Sequence, residues 1–170
     1  MLKKSLNKWL LSLTSAALLA SLSLATSAAE YKIDSAHSFV QFRIQHLGYS
    51  WLYGRFNTME GNFTYDPETP EASAIFVEID ANSVDTNHAE RDKHLRGEDF
   101  LNVKEFPKAT FKSTKYTGSA DGGVLEGELT LHGVTKPVKL DVKKLGEGKD
   151  PWGGYRAGFI ATTILSRNDF

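Results

Sequence analysis

Beyond Glu30 the apolar residues of this chain recur at every second position, and that period constrains the fold more than any other feature. "SFVQFRIQH" sets Val40, Phe42, Ile44 and His46 against Gln41, Arg43 and Gln45. "MEGNFTYD" sets Met59, Gly61, Phe63 and Tyr65 against Glu60, Asn62 and Thr64, and "AIFVEIDANSV" sets Ile75, Val77 and Ile79 against Phe76, Glu78 and Asp80. Leu125, Leu129 and Leu131 share a later face, as do Val138, Leu140 and Val142, and "GYRAGFIATTIL" supplies a last alternating run. A period of two means strands with one dry and one wet face. Asp66-Pro67, Asp121-Gly122-Gly123, Gly133–Pro137 and Asp150–Gly154 supply turns between them. Many such strands with short connections predict an all-β, antiparallel sheet, and closing it into a barrel removes exposed edges. Phe42, Phe63 and Phe111 lie near Gly61, Gly127 and Gly158, and glycine leaves room inside a sheet. Such an interior is either packed solid or holds an elongated apolar ligand.

The first 29 residues follow different rules. Lys3, Lys4 and Lys8 precede a Leu/Ala-rich run that closes on Ser27 and Ala29, the grammar of a secretory signal peptide cut between Ala29 and Glu30. The expectation is an exported protein with one domain at 30–170. Three of the 20 basic residues leave with the leader, so 17 face 21 acidic ones. An acidic balance without clustered Lys and Arg argues against nucleic acid. The chain has no cysteine, which removes thiol catalysis and thiolate metal ligation.

One stretch breaks the period. "DTNHAERDKHLRGEDFLNVKEFP", residues 85–107, lacks β-branched residues between Asn87 and Asn102 and predicts a short helix and loop over 87–101. On a helix His88 and Asp92 stand one turn apart, as do Glu90 and His94. Two ligands fall short of the three or four that zinc requires, and no HExxH is present, so no metal site is assigned. No G-x-S-x-G elbow appears, and no pair of acids is singled out for glycoside chemistry, so no catalytic residue is assigned. Read plainly, the segment is a wet helix pinned to the barrel by Leu95, Phe100, Leu101 and Phe106.

Four separated motifs then point to a family. "YKIDSAHSFVQFRIQHLGYSWLYGRF", "VDTNHAERDKHLRGEDFLNVKEFPKATF", "LTLHGVTKPVKL" and "DPWGGYRAGF" together resemble the YceI family of bacterial periplasmic proteins. The resemblance runs from Tyr31 to the end of the chain. It implies an extended lipocalin-like antiparallel barrel whose lumen holds a polyisoprenoid lipid or an isoprenoid quinone, with no enzymatic activity and no cofactor beyond that lipid. Lumen-lining candidates are Phe42, Ile44, His46, Trp51, Tyr53, Phe63, Phe111 and Phe159. The family's R-D-x-H-L…D-F motif stands here as Arg91, Asp92, His94, Leu95, Asp99 and Phe100, which makes the helix a candidate rim. Arg91, His94 and Arg96 are its candidates for meeting a lipid head.

The resemblance also implies a further turn and closing strand after "SRNDF", so a barrel lacking that strand is expected. The leading functional expectation is a periplasmic carrier that makes transient contact with a membrane. The alternative is a non-catalytic stress-response or protein-interaction barrel with a solid core. Oligomeric state is not legible.

Overall fold

The structure is a computed structural model and describes residues 28–170. Residues 1–27, nearly all of the leader read at 1–29, lie outside the described residues. The strands are β1 (Ala29–Lys32), β2 (Val40–His46), β3 (Ser50–Phe56), β4 (Met59–Tyr65), β5 (Ala74–Asp80), β6 (Val84–Asp85), β7 (Lys108–Ser119), β8 (Gly122–Leu131), β9 (Val134–Lys149) and β10 (Tyr155–Thr162). A single α-helix among the described residues, α1 (Ala89–Arg96), falls inside the window read as helical. Each alternating run contains a strand, because only a pleated chain puts successive side chains on opposite faces.

Seven strands form one antiparallel sheet in the order β1-β4-β5-β7-β8-β9-β10, and β2, β3 and β6 form a second. Two excursions interrupt an otherwise sequential order. The β2–β3 hairpin separates β1 from its partner β4, and β6 with α1 separates β5 from its partner β7. The irregular stretch 85–107 is therefore a crossover between two adjacent strands of the large sheet.

That sheet curls until its outer strands face each other. Arg156 on β10 pairs with Asp34, two residues past β1, and Phe159 on β10 meets the rings of Phe63 and Tyr65 on β4 at 5.9 and 5.1 Å. Bulges assist the bending, one in β7 at Thr114, between Ser113 and Lys115, and one in β9 at Leu145, opposite Gly158 and Phe159 of β10. The first also resets the alternation: Lys115 is exposed and Tyr116 is buried, where an unbroken period would reverse them. The result is a curled antiparallel half-barrel with the small sheet as a second wall.

Packing is tightest around Phe111, Tyr116 and Leu125, with Ile75, Leu129, Val138, Leu140 and Val142 against them. Gly127 matters here for space: a Cβ on it would lie 2.5 Å from the Phe111 ring and 2.6 Å from the Lys112 carbonyl oxygen. At the β8–β9 turn His132 and Gly133 both take positive φ, 49° and 76°, as a tight two-residue hairpin turn requires. The Phe106 ring sits against Gly133 and, edge-on at 4.9 Å, against His132, fastening the end of the crossover to the barrel.

Candidate functional site

The inner face of the small sheet follows from its register. Phe42 stands opposite Gly54, Ile44 opposite Leu52, His46 opposite Ser50, and Phe56 opposite Val84. Directly opposed residues share a face, and Val84 is 1% exposed, so this is the concave side. Trp51 and Tyr53 pair with Gln45 and Arg43 and so occupy the opposite face, 50% and 64% exposed. The sequence reading grouped all five with the lining; the strand register places Trp51 and Tyr53 outside while Phe42, Ile44 and His46 point inward. On the large sheet Phe63, Phe111 and Phe159 lie on the concave side. Phe63 stacks on Tyr31 with centroids 4.8 Å apart, Phe159 stands edge-on to Phe63, and Phe111 is buried.

Most of this wall is only half-buried. Phe42, Leu52, Phe56, Phe63, Leu140 and Phe159 all remain partly open, and Ile44 is 54% exposed. Fully buried apolar side chains concentrate in the Phe111 cluster and near α1, at Ala81 and Val84. Both sheets thus present apolar surface that protein atoms cover only in part.

The crossover closes on itself around Thr86. The buried Asp92 carboxylate accepts hydrogen bonds from the Thr86 hydroxyl and, at 2.8 Å, from its main-chain N–H. Arg91 donates from Nε to the Thr86 hydroxyl at 2.7 Å and from Nη2 to the Thr86 carbonyl. Arg96 donates to the carbonyls of Asn82 and Val84, each at 2.8 Å, which ties the helix end to β6. His88 caps the helix, its Nδ1 accepting the Arg91 N–H at 3.2 Å. The His88 and Asp92 side chains that spacing placed on one face are therefore spent on the helix's own structure. His94 stands 3.5 Å from Asp99 and edge-on to Phe100.

Of the three head-group candidates, Arg91 lines a hollow and His94 and Arg96 do not. The hollow, about 350 Å³, is bordered by His46, Ser50, Trp51, Leu52, Tyr53, Thr86 and Arg91. It brings together one lumen candidate, one rim candidate and the two outward aromatics. Thr86, Ser50 and Leu52 escaped the sequence reading. Ser50 and Leu52 were signalled by strand pairing with His46 and Ile44, but Thr86 becomes visible only once the helix folds back on β6. Chemically the hollow offers a guanidinium, an imidazole and a hydroxyl beside apolar wall, a set suited to a small polar head on an apolar tail.

Where β9 and β10 approach β4 the large sheet holds an ion pair. Lys144, its side chain 14% exposed, reaches Glu147 at 2.8 Å and lies over the Tyr65 ring at 5.3 Å. Hydrogen bonding to Glu147, then to Tyr65, holds the ammonium above its ordinary value. Burial raises the Tyr31 phenol, with Glu147 adding to the effect. Outside, Asp34 is held down to about 2 chiefly by Arg156, with His37 assisting. Asp150 is also lowered, first by the Gly154 N–H and then by Arg156. Among the described residues no group of three or more His, Cys, Asp or Glu is placed to hold a metal ion.

A family model described as a YceI-like domain matches residues 31–170. The chain belongs to the YceI-like family. A UPF0312 protein of Yersinia enterocolitica is 57% identical over 166 residues, 96% of this chain and 86% of that protein. The crystal structure of a YceI protein from Campylobacter jejuni superposes with a TM-score of 0.68 at 35% identity, over 82% of each chain. BcnA of Burkholderia cenocepacia is similar in fold, with a TM-score of 0.64 at 24% identity over 68% of this chain and 73% of that one. The YceI-like region takes in every candidate residue named above.

Proposed function

We propose that this YceI-like protein binds a polyisoprenoid lipid or isoprenoid quinone between its two sheets and carries it through the periplasm without chemical change. One observation carries the reading: the inner wall is apolar on both sheets and only half-buried. Apolar surface left open in this way calls for an apolar occupant, and a long chain suits a trough better than a compact ligand. The alternative of a solid core is disfavoured by the same openness. Family membership and the leader-like segment support the lipid and the compartment.

Burying a methylene is worth about 0.8 kcal/mol relative to water, so the tail does not travel free. A bilayer hides it equally well, however. Selectivity must therefore come from trough shape and from polar contacts at the hollow, where Arg91 and His46 are the head-group candidates. The test is organic extraction of protein purified without detergent, followed by mass spectrometry. A stoichiometric isoprenoid is the expected result, and its absence from folded protein taken from lipid-replete cells would sink the carrier reading. His46→Ala and Arg91→Lys should lower the load of headed lipid more than that of a plain polyprenol.

A further inference from the structure

The turn between β2 and β3 carries a residue that neither its backbone nor its surroundings favour. Leu47 sits at φ 53° and Gly48 at φ 78°, with the Tyr49 N–H closing the turn on the His46 carbonyl at 3.1 Å. Positive φ suits Gly, Asn or Asp, and a branched apolar residue there is strained. Leu47 is also 75% exposed and Tyr49 91% exposed. Water disfavours Leu at this tip, and the turn disfavours it too. Behind the tip, Trp51 stands half exposed with the Arg43 guanidinium 4.5 Å from its ring centroid.

Charge separates this hairpin from the rest of the molecule. Residues 40–56 contain Arg43, Arg55 and His46 and no acidic residue, although the chain holds 21 acids against 20 Lys and Arg; Arg55 is paired with Asp85 at 3.2 Å, which leaves Arg43 as the cation nearest the tip. A leucine and a tyrosine at the tip, an indole above them and a guanidinium on that indole match the polarity gradient of a bilayer surface. Acyl chains receive the Leu, the carbonyl region receives the rings, and phosphates receive the cation.

We infer that the β2–β3 tip, Leu47–Tyr49 backed by Trp51 and Arg43, inserts into the interfacial layer of an anionic phospholipid bilayer. His46 and Ser50, which flank the tip, also border the hollow, so docking sets the mouth of the hollow against the membrane. The inference rests on the carrier reading for its purpose, but the two fail separately.

The test uses vesicles of phosphatidylglycerol with phosphatidylcholine, and of phosphatidylcholine alone, with the full chain throughout. Comparing variants with wild type cancels whatever residues 1–29 contribute. Leu47→Asn combined with Tyr49→Ser should lower binding to anionic vesicles by about tenfold or more. Asn accepts the left-handed turn, so unfolding does not explain such a loss. Arg43→Gln should lower it by about fivefold on anionic vesicles and leave neutral ones unchanged. Because the chain has no cysteine, Tyr49→Cys carries a single polarity-sensitive dye. That dye should shift to the blue on adding vesicles, while one at the exposed Lys115→Cys should not. Equal binding by the tip variant and wild type, or no shift at position 49, overturns the inference. Uptake of a long-chain polyprenol delivered from ethanol is measured alongside. Vesicle binding without uptake supports docking and defeats the carrier reading.

Discussion

Thr86 shows how much can hang on one hydroxyl. It donates to the buried Asp92 carboxylate and accepts from Arg91, so both faces of the latch meet on a single oxygen. Thr86→Val keeps the shape and removes that oxygen, leaving Asp92 with only the main-chain N–H of residue 86. An under-satisfied buried carboxylate costs roughly 1–3 kcal/mol. Urea unfolding should show a loss of that size, and Thr86→Ser should recover most of it. A result within error of wild type would mean that water replaces the bond and the latch is looser than drawn. The network also changes the meaning of Arg91. A guanidinium already donating through Nε and Nη2 is a positioned group, and what it can offer a lipid head is the remainder of its fork. His94, paired with Asp99 and away from the hollow, is the weaker candidate.

At the scale of elements, glycine placement sets how closely neighbouring strands pack, and one ion pair links the two ends of the large sheet. A Cβ at Gly127 collides with both the buried Phe111 ring and the backbone of β7, so Gly127→Ala should cost roughly 1–3 kcal/mol by overpacking. Gly148→Ala is its control, since nothing lies within 4 Å of a Cβ there, and should leave the unfolding midpoint unchanged. The Asp34–Arg156 pair joins strands that stand at opposite ends of the sheet order. The Asp34 carboxyl, held down to about 2 against an ordinary 3.8, favours the folded state only while ionised. Its contribution is complete above pH about 4 and is lost as pH falls toward 2, because the unfolded chain takes up the proton first. The stability gap between wild type and Asp34→Asn should be constant above pH about 4 and close below it, as followed by denaturant titration at stepped pH. A gap that persists at pH about 2 would assign the effect to packing instead.

Taken whole, the molecule leaves apolar faces of both sheets partly uncovered, and the proposed function makes its stability depend on what covers them. A ligand present at about 100 times its Kd adds roughly 2.7 kcal/mol to the folded state. Stripping the lipid with solvent should therefore lower Tm by about 5–10 °C, and re-adding it should restore the loss. Identical melting of loaded and stripped protein would show that those faces stay uncovered in solution and that the lipid contributes nothing to the fold. The Lys144–Glu147 pair lies beside Tyr65, and the hollow beside Arg91 lies at the edge of the small sheet, next to the β2–β3 tip.

Much of this was written into the linear chain. The two-residue period of Val40–His46, Met59–Tyr65 and Ala74–Asp80 dictated strands and their dry faces, because pleating leaves a side chain no other choice. The loss of that period after Asp85 marked the helix, and four motifs marked the family. Register was a different matter. Trp51 and Tyr53 alternate as regularly as Leu52, Gly54 and Phe56, and only pairing with β2 and with Val84 on β6 settles which set points inward. The bulge that turns Tyr116 in and Lys115 out shows in the chain only as the odd spacing from Phe111 to Tyr116, which does not say where the extra residue sits. Nor does the meeting of Thr86 with Arg91, or of Asp34 with Arg156 across 122 positions, since such contacts exist only after the sheet has curled. Local pattern determined what each segment is; long-range pairing decided which face is inside and which residues share a site.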